Sequence, residues 1–225
     1  MRHGLRPARH GKVHLALLCL LAVANSLVRA QTLPPLHFFV EDALLRETPL
    51  SRWKEQLSRN AAAAQQILCS ELKRVEKVPV CDLSLGAVSV TAFDEDTDEG
   101  LRTAASQEMA SGAVGENGLN FLLDQESPAE RRVFVVRRLS TCGGIGGDIG
   151  ACTRVLGRVS IISVAKLFRT DNPAVTLLHE LGHQAGLADR PDPRALMYRG
   201  APTPRVDAAI NVAEIARFRL FFWSP

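Results

Sequence analysis

The segment HELGHQAGLAD, residues 179–189, constrains this chain more than any other feature of its sequence. Residues four apart on a helix project from the same face, so His179 and His183 can present two imidazole nitrogens to one ion. Glu180 lies beside the first histidine and can reach a water molecule at that ion. The spacing therefore predicts a helix that carries two metal ligands and a carboxylate next to them.

A catalytic zinc site needs three protein ligands and one open position. Gly186 lets the chain leave the helix in a left-handed turn, so that Asp189 can return to the metal. Its carboxylate oxygen is an accepted zinc donor. Beyond the predicted leader, which is described below, the chain has three histidines. The one outside the motif is His37, whose setting between Leu36 and Phe38 is typical of a half-buried strand residue. We therefore expect one catalytic Zn²⁺, held by two histidines and this aspartate.

The longer segment HELGHQAGLADRPDPRALMY, residues 179–198, resembles the metzincin zinc-peptidase motif HExxHxxGxxH followed by a Met-turn. Its ALMY ending is similar to the matrixin branch, although no matrixin cysteine-switch sequence is present. The aspartate replaces the last histidine of the motif, as it does in snapalysin-like bacterial peptidases. The resemblance implies a zinc metalloendopeptidase with Glu180 as the general base and Met197 as the Met-turn residue beneath the zinc. It also implies that Tyr198 lines the substrate pocket.

Peptide substrates of this family lie antiparallel to an edge strand, so the expected partner is a protein or peptide. The resemblance implies that this strand lies within 149–155, and Gly150 and Ala151 are expected at the substrate pocket. The glycine-rich run CGGIGGDIGAC before it is not a phosphate loop, because Ile149 interrupts the GxGxxG pattern and no helix follows. We expect a rim loop over the cleft, closed by a disulfide.

Alternatives to this assignment remain open at the level of sequence. A gluzincin-type peptidase would keep HExxH and take its third ligand from a glutamate on a later helix, for which Glu214 is the candidate. A secreted zinc-binding module could recognise peptides without cutting them. The two histidines could also line a core or belong to a decayed site.

The predicted fold class is α+β, with a mixed twisted sheet, the active-site helix, a Met-turn and a C-terminal helix. Apolar residues recur at spacings of three and four over 49–77, which predicts a helix with a buried stripe. The members of that stripe are Trp53, Leu57, Ala61, Ala64, Leu68 and Leu72. Strands are predicted over 83–93, 131–139 and 157–163, before two late helices at 173–185 and 204–223. Asn172 is predicted to cap the first of these helices, with Pro173 in its first turn.

Residues 1–30 are typical of a secretory signal peptide, with a basic start and an apolar run too short to span a bilayer comfortably. The small residues Val28 and Ala30 favour cleavage before Gln31, and an uncleaved anchor is the alternative. The catalytic domain then covers 31–225. Within it, 31–82 could instead form an N-terminal extension or pro-segment, in which case 98–113 would supply the first helix of the domain.

The leader carries five of the 27 lysines and arginines and none of the 24 acidic residues, which leaves 22 basic residues and a net charge of −2. A nucleic-acid partner is therefore not expected. We expect a secreted or periplasmic monomer that does not contact the membrane once the leader is removed.

The acidic run DEDTDEG, 94–100, begins like a calcium-binding EF-hand loop. Glu99 stands where that loop needs glycine, and Ala105 stands where it needs glutamate. A solvated acidic loop is the expectation, with Ca²⁺ as the lesser alternative.

Beyond the leader the chain keeps an even number of cysteines, which in an exported protein favours two disulfides. Of the three pairings allowed, those that close short local loops are Cys69–Cys81 and Cys142–Cys152. A structural zinc site built from all four cysteines is the rival, but the sequence has no CxxC pair.

Overall fold

The computed structural model of the chain describes residues 31–32, 34–93, 113–164, 172–199 and 209–223. The predicted leader, the acidic run at 94–100 and all but residue 113 of the alternative first helix at 98–113 lie outside these residues. Among the described residues, none of the helices combines the length and the apolar character that a membrane span requires.

The described part of the chain alternates between strands and helices. In chain order the elements are β1 (Gln31–Thr32), β2 (Leu36–Glu41), α1 (Asp42–Leu45), α2 (Leu50–Glu76), β3 (Leu83–Ser84), β4 (Val88–Phe93), α3 (Glu116–Leu123), β5 (Arg131–Val136), β6 (Leu139–Cys142), β7 (Ile145–Ile149), β8 (Ala151–Thr153), β9 (Val159–Ser163), α4 (Pro173–Gln184) and α5 (Val212–Trp223).

The central sheet has the strand order β4-β2-β5-β9-β8, in which β8 alone runs antiparallel to its neighbour. Neighbouring parallel strands need long crossover connections, usually helical, and α2 lies in the crossover from β2 to β4. The predicted α+β class, with strands gathered before two late helices, therefore needs correction. The fold is a mixed α/β arrangement with a mostly parallel sheet.

Strand β5 shows that both faces of this sheet are buried. Val133 and Val135 pack into one core cluster with α2, α4 and α5, whereas Phe134 and Val136 pack into a second cluster with α3. Successive strand residues point to opposite faces, so a strand buried on both sides reads as a continuous apolar run. This is why the segment RRVFVV lacks the alternation of a one-sided strand.

Helix α2 confirms the helix predicted at 49–77. Every member of its predicted stripe is buried, and the helix packs along α4. Its last residue is followed by Lys77 in a left-handed conformation, with φ of 59°. Strand β2 lies between β4 and β5, so segment 34–82 contributes to the middle of the sheet and to the core that supports α4.

Two predicted elements have different boundaries in the structure. The strand predicted at 83–93 is divided into β3, which pairs with β1, and β4, which pairs with β2. Gly86 lies between them with a φ of 81°, outside the range of an extended strand. The strand predicted at 131–139 ends at Val136, and Leu139 begins the separate ribbon β6–β7.

The last helix begins at Val212, later than the predicted start, while 204–208 lie outside the described residues. Asn211 Oδ1 accepts a hydrogen bond from the Glu214 backbone N–H at 2.9 Å. Glu214 Oε2 in turn accepts one from the Asn211 N–H at 2.8 Å. This reciprocal pair is a capping box, which fixes the first turn of a helix at that residue.

Candidate metal centre

Helix α4 presents the predicted site residues. It begins at Pro173, but the Asn172 side chain makes no capping hydrogen bond, so that part of the prediction is wrong. Leu177, Leu178 and Leu181 anchor the helix in the core. His179 and His183 lie on the opposite side of the helix and are only partly buried.

The chain turns sharply after α4 and brings an acidic side chain back to the helix. Gly186 has a φ of 82°, a backbone conformation that glycine adopts readily and other residues rarely do. Asp189 Oδ1 then lies 3.4 Å from His179 Nε2 and 3.5 Å from His183 Nε2. The three predicted ligands therefore converge.

Backbone carbonyls orient both imidazole rings. His179 Nδ1 lies 2.9 Å from the Leu196 carbonyl oxygen, and His183 Nδ1 lies 2.8 Å from that of Leu187. A carbonyl only accepts hydrogen bonds, so each Nδ1 donates its proton there, and each Nε2 is the ring nitrogen that faces Asp189. Holding the outer nitrogen in this way is how proteins prepare histidines to bind metals.

The separations of these atoms fit zinc. With bonds of about 2.0–2.1 Å, two ligand atoms of a tetrahedral zinc site lie roughly 3.3–3.4 Å apart. The two distances from Asp189 Oδ1 are within about 0.2 Å of that range, the usual tolerance for such a site. One ligand atom each from His179, Glu180 and His183 also lie within 4.8 Å of one another, which places the Glu180 carboxylate beside the same point.

The charges of the site favour a cation. Burial lowers the pKa of His179, but its hydrogen bond to Asp189 and the charge of Glu180 outweigh burial and raise that pKa overall. The hydrogen bond to His179 holds the pKa of Asp189 below its ordinary value. Both shifts stabilise a positive charge at this point, where a bound cation would compete with protons for the same groups.

Glu180 is buried, with 5% of its surface exposed, and the hydroxyl of Thr153 on β8 lies 2.5 Å from its Oε2. Nothing in the sequence indicates this partner, because the two residues are 27 positions apart and meet only through the packing of β8 on α4.

Met197 is fully buried, and its sulfur lies closest to the position that a β-carbon on Gly182 of α4 would take. Tyr198 is half-buried and forms an isolated parallel bridge with Arg190, the residue after Asp189. The segment that carries both residues thus packs directly under the helix and the turn of the site.

The predicted edge strand at 149–155 is shorter in the structure. Ile149 belongs to β7, and β8 covers Ala151–Thr153 at the end of the sheet. Gly150 lies between the two strands, and its carbonyl accepts the Ser163 N–H at 2.9 Å. The glycine-rich run before it forms the ribbon β6–β7 instead of an irregular rim loop, because residues 139–149 pair with each other across a tight turn.

Both predicted disulfides are confirmed. Cys69–Cys81 joins the last turns of α2 to the segment before β3, with Cα atoms 5.2 Å apart. Cys142–Cys152 joins the ribbon to β8, with Cα atoms 5.7 Å apart. These pairs leave no thiolates for the alternative four-cysteine zinc site.

The alternative third ligands are engaged elsewhere. His37 Nδ1 lies 3.1 Å from Glu130 Oε2, and its Nε2 lies 2.9 Å from Thr91 Oγ1. The Glu214 carboxylate caps its own helix and accepts a hydrogen bond from Arg190 Nη1 at 3.1 Å.

The fold is similar to that of archaemetzincin from Methanopyrus kandleri, with a TM-score of 0.56, 18% identity and coverage of 88% of this chain and 99% of that one. Metalloproteinase-II from Bacteroides fragilis gives a TM-score of 0.46 and 12% identity over 86% of this chain and 54% of that one. A zinc-dependent peptidase from Methanocorpusculum labreanum gives a TM-score of 0.39 and 15% identity over 83% of this chain and 99% of that one. No protein-family model and no curated protein matches the sequence.

Proposed function

We propose that this protein is an exported zinc-dependent endopeptidase of the metzincin type. The observation that carries the proposal is that Asp189 Oδ1 lies at zinc-ligand separations from both His179 Nε2 and His183 Nε2, beside the buried Glu180 carboxylate. The likeness of the fold to archaemetzincin supports it.

When bound at these ligands, zinc lowers the pKa of a water molecule toward neutrality and polarises the carbonyl of the scissile peptide. Glu180 acts as the general base: it takes one proton from the attacking water and delivers it to the leaving amine. The oxygen of that water joins the carbonyl carbon as the C–N bond breaks, which gives a carboxylic acid and an amine. Met197 is the Met-turn residue that supports this site from below.

We further propose that the substrate backbone pairs antiparallel with β8. This strand ends the central sheet, and its last residue, Thr153, reaches Glu180 with its side chain. An extended peptide added to this edge would place its backbone beside the general base. Gly150, Ala151 and Tyr198 are the proposed residues of the substrate pocket.

Export is supported by the leader-like residues 1–30 and by the two disulfides, which persist in oxidising compartments. Expression of the full-length chain in an exporting host tests this step. N-terminal sequencing of the exported protein should begin at Gln31.

The activity is tested by digestion of casein and of a peptide library with the exported protein, with chelator and after zinc is restored. Cleavage should require zinc, and the Glu180→Gln variant should keep its zinc but lose about 100-fold or more in turnover, the scale of general-base catalysis. Zinc binding by the wild type without any cleavage would contradict the proposal and indicate a non-catalytic peptide-recognition module.

A further inference from the structure

The hydroxyl of Thr153 connects the proposed general base to the interior of the sheet. Its Oγ1 lies 2.5 Å from Glu180 Oε2 and 2.8 Å from Ser160 Oγ. Ser160 is the residue of β9 that pairs with Thr153 across the two strands. A hydroxyl has one hydrogen to donate, and an ionised carboxylate only accepts. Thr153 therefore donates to Glu180 and accepts from Ser160.

The chain of hydrogen bonds continues through the core in the same direction. Ser160 Oγ accepts from Gln184 Nε2 at 2.7 Å, and Gln184 Oε1 accepts from Arg131 Nη1 at 3.2 Å. Ser160 and Gln184 are fully buried, and Arg131 is 2% exposed. A guanidinium only donates, so Arg131 fixes the orientation of the Gln184 amide, whose N–H is then directed to the Ser160 hydroxyl oxygen.

Arg131 occupies an unusual position for a charged side chain. It opens the central strand β5, the Phe221 ring lies 3.4 Å from its guanidinium carbon, and its Nε has no hydrogen-bond partner among the described residues. Burial, with the charge of Arg158, lowers its pKa to about 9, so the guanidinium is charged at neutral pH. Burying such a group is costly, and an apolar side chain would serve the core better.

We infer that Thr153 is a positioning residue of the active site, whose hydroxyl is oriented by Ser160, Gln184 and Arg131 and holds the Glu180 carboxylate in place. One carboxylate oxygen accepts from Thr153, and the other is directed to the proton of the attacking water. The inference rests on the proposed role of Glu180. It adds that a buried chain of hydrogen bonds, with members on β8, β9 and β5, controls the orientation of the Glu180 carboxylate.

Thr153→Val removes the hydroxyl at nearly constant volume and is the main test. We expect kcat to fall about 10-fold, because small misplacements of a catalytic group reduce rates by factors of this order or larger. KM for a peptide and the zinc content should not change. Thr153→Ser keeps a donor and should recover kcat to within about 2-fold, while Ser160→Ala, which only loosens this chain of hydrogen bonds, should cost about 3-fold.

Thr91→Val is the matched control. Thr91 also lies on an edge strand and contacts a titratable side chain, with its Oγ1 2.9 Å from His37 Nε2, but it belongs to β4 at the opposite edge of the sheet. This variant should keep the kcat and KM of the wild type.

A spectroscopic measurement on the metal-free protein tests the contact without any turnover. The carboxylate stretch of Glu180, identified by infrared subtraction of the Glu180→Gln spectrum, should shift in Thr153→Val and stay in place in Thr91→Val. In a Glu180→Ala background, Thr153→Val should have almost no further effect on residual cleavage, because the group that it positions is gone.

Wild-type kcat in Thr153→Val, or an equal loss in the Glu180→Ala background, would overturn the inference and leave the proposed function intact. Loss of zinc or a raised KM that accounts for the lower activity of Thr153→Val would also overturn it, since that result indicates a purely structural role. Absence of cleavage by the wild type would overturn the proposed function and the inference together.

Discussion

Gly182 lies between the two histidines of α4, at a place where the helix touches Met197. A β-carbon on Gly182 would overlap the Met197 sulfur, and it would lie 3.1 Å from the Met197 terminal methyl and 3.4 Å from Leu187 Cδ1. Met197 is fully buried, so its side chain has no solvent-filled space into which it can move. We predict that Gly182→Ala destabilises the protein and weakens zinc binding.

Two opposing effects set the size of this change. Alanine in place of glycine in a helix interior gains about 1 kcal/mol. Favourable contacts between heavy atoms begin near 3.5 Å, so the new methyl group must displace the sulfur by about 1 Å. Overpacking of this kind costs about 1–3 kcal/mol. The net expectation is a loss of about 1 kcal/mol in the free energy of unfolding.

The same displacement should reach the metal ligands. Leu196, whose carbonyl oxygen orients His179, immediately precedes Met197 in the chain. A shift of this segment disturbs the His179 ring, and zinc affinity should fall several-fold.

Urea denaturation of the metal-free protein measures the stability, and competition with a chromogenic chelator measures the zinc affinity. Gly118→Ala in α3 is the matched control, since a β-carbon there meets only Val114 Cγ1 at 3.2 Å. Gly182→Ala in a Met197→Ala background should recover the helix-forming gain, because the obstructing sulfur is gone. If Gly182→Ala is at least as stable as the wild type and leaves zinc affinity unchanged, the packing argument is refuted.

Two further predictions concern stability away from the site. The double variant Cys69→Ala/Cys81→Ala should lose about 2–3 kcal/mol in the free energy of unfolding, the range expected for a short closed loop, and urea denaturation measures it. Arg219 on α5 donates to Glu76 Oε1 at 2.8 Å and to Asp82 Oδ2 at 2.9 Å, and its hydrogen bond holds the pKa of Asp82 below the ordinary value. A carboxylate whose pKa is lowered in the folded protein stabilises the fold at any pH above its ordinary pKa. That contribution is lost as the pH falls through the lowered pKa. Arg219→Met should thus cost about 1 kcal/mol at pH 7, a figure reduced for partial exposure, and the difference from wild type should shrink below about pH 4.

The sequence predicted best those features that depend on neighbouring residues. The stripe from Trp53 to Leu72 and the two histidines of α4 follow from helix periodicity alone, and both were placed correctly. The turn at Gly186 brings Asp189 to the helix within a few residues, so this contact is local too. Such features need no knowledge of how distant elements pack.

Features that depend on topology were missed or misplaced. The order of the parallel strands brings β8 beside α4, and only this order makes Thr153 a neighbour of Glu180. Arg131 begins a strand in a run of basic and apolar residues, and nothing local shows that it points into the core. The start of α5 is different, because the pattern Asn211-x-x-Glu214 was present in the sequence and is a known start signal.

The identity of the third ligand tests the central claim most directly, through zinc affinity and peptide cleavage in Asp189→Ala and Glu214→Ala measured side by side. Each variant removes one carboxylate, so each is a control for the other. We predict that Asp189→Ala loses zinc affinity by at least about 10-fold and loses cleavage with it, whereas Glu214→Ala keeps both and gives up only about 1 kcal/mol of helix capping. Wild-type zinc affinity in Asp189→Ala, together with loss of zinc in Glu214→Ala, would contradict the account.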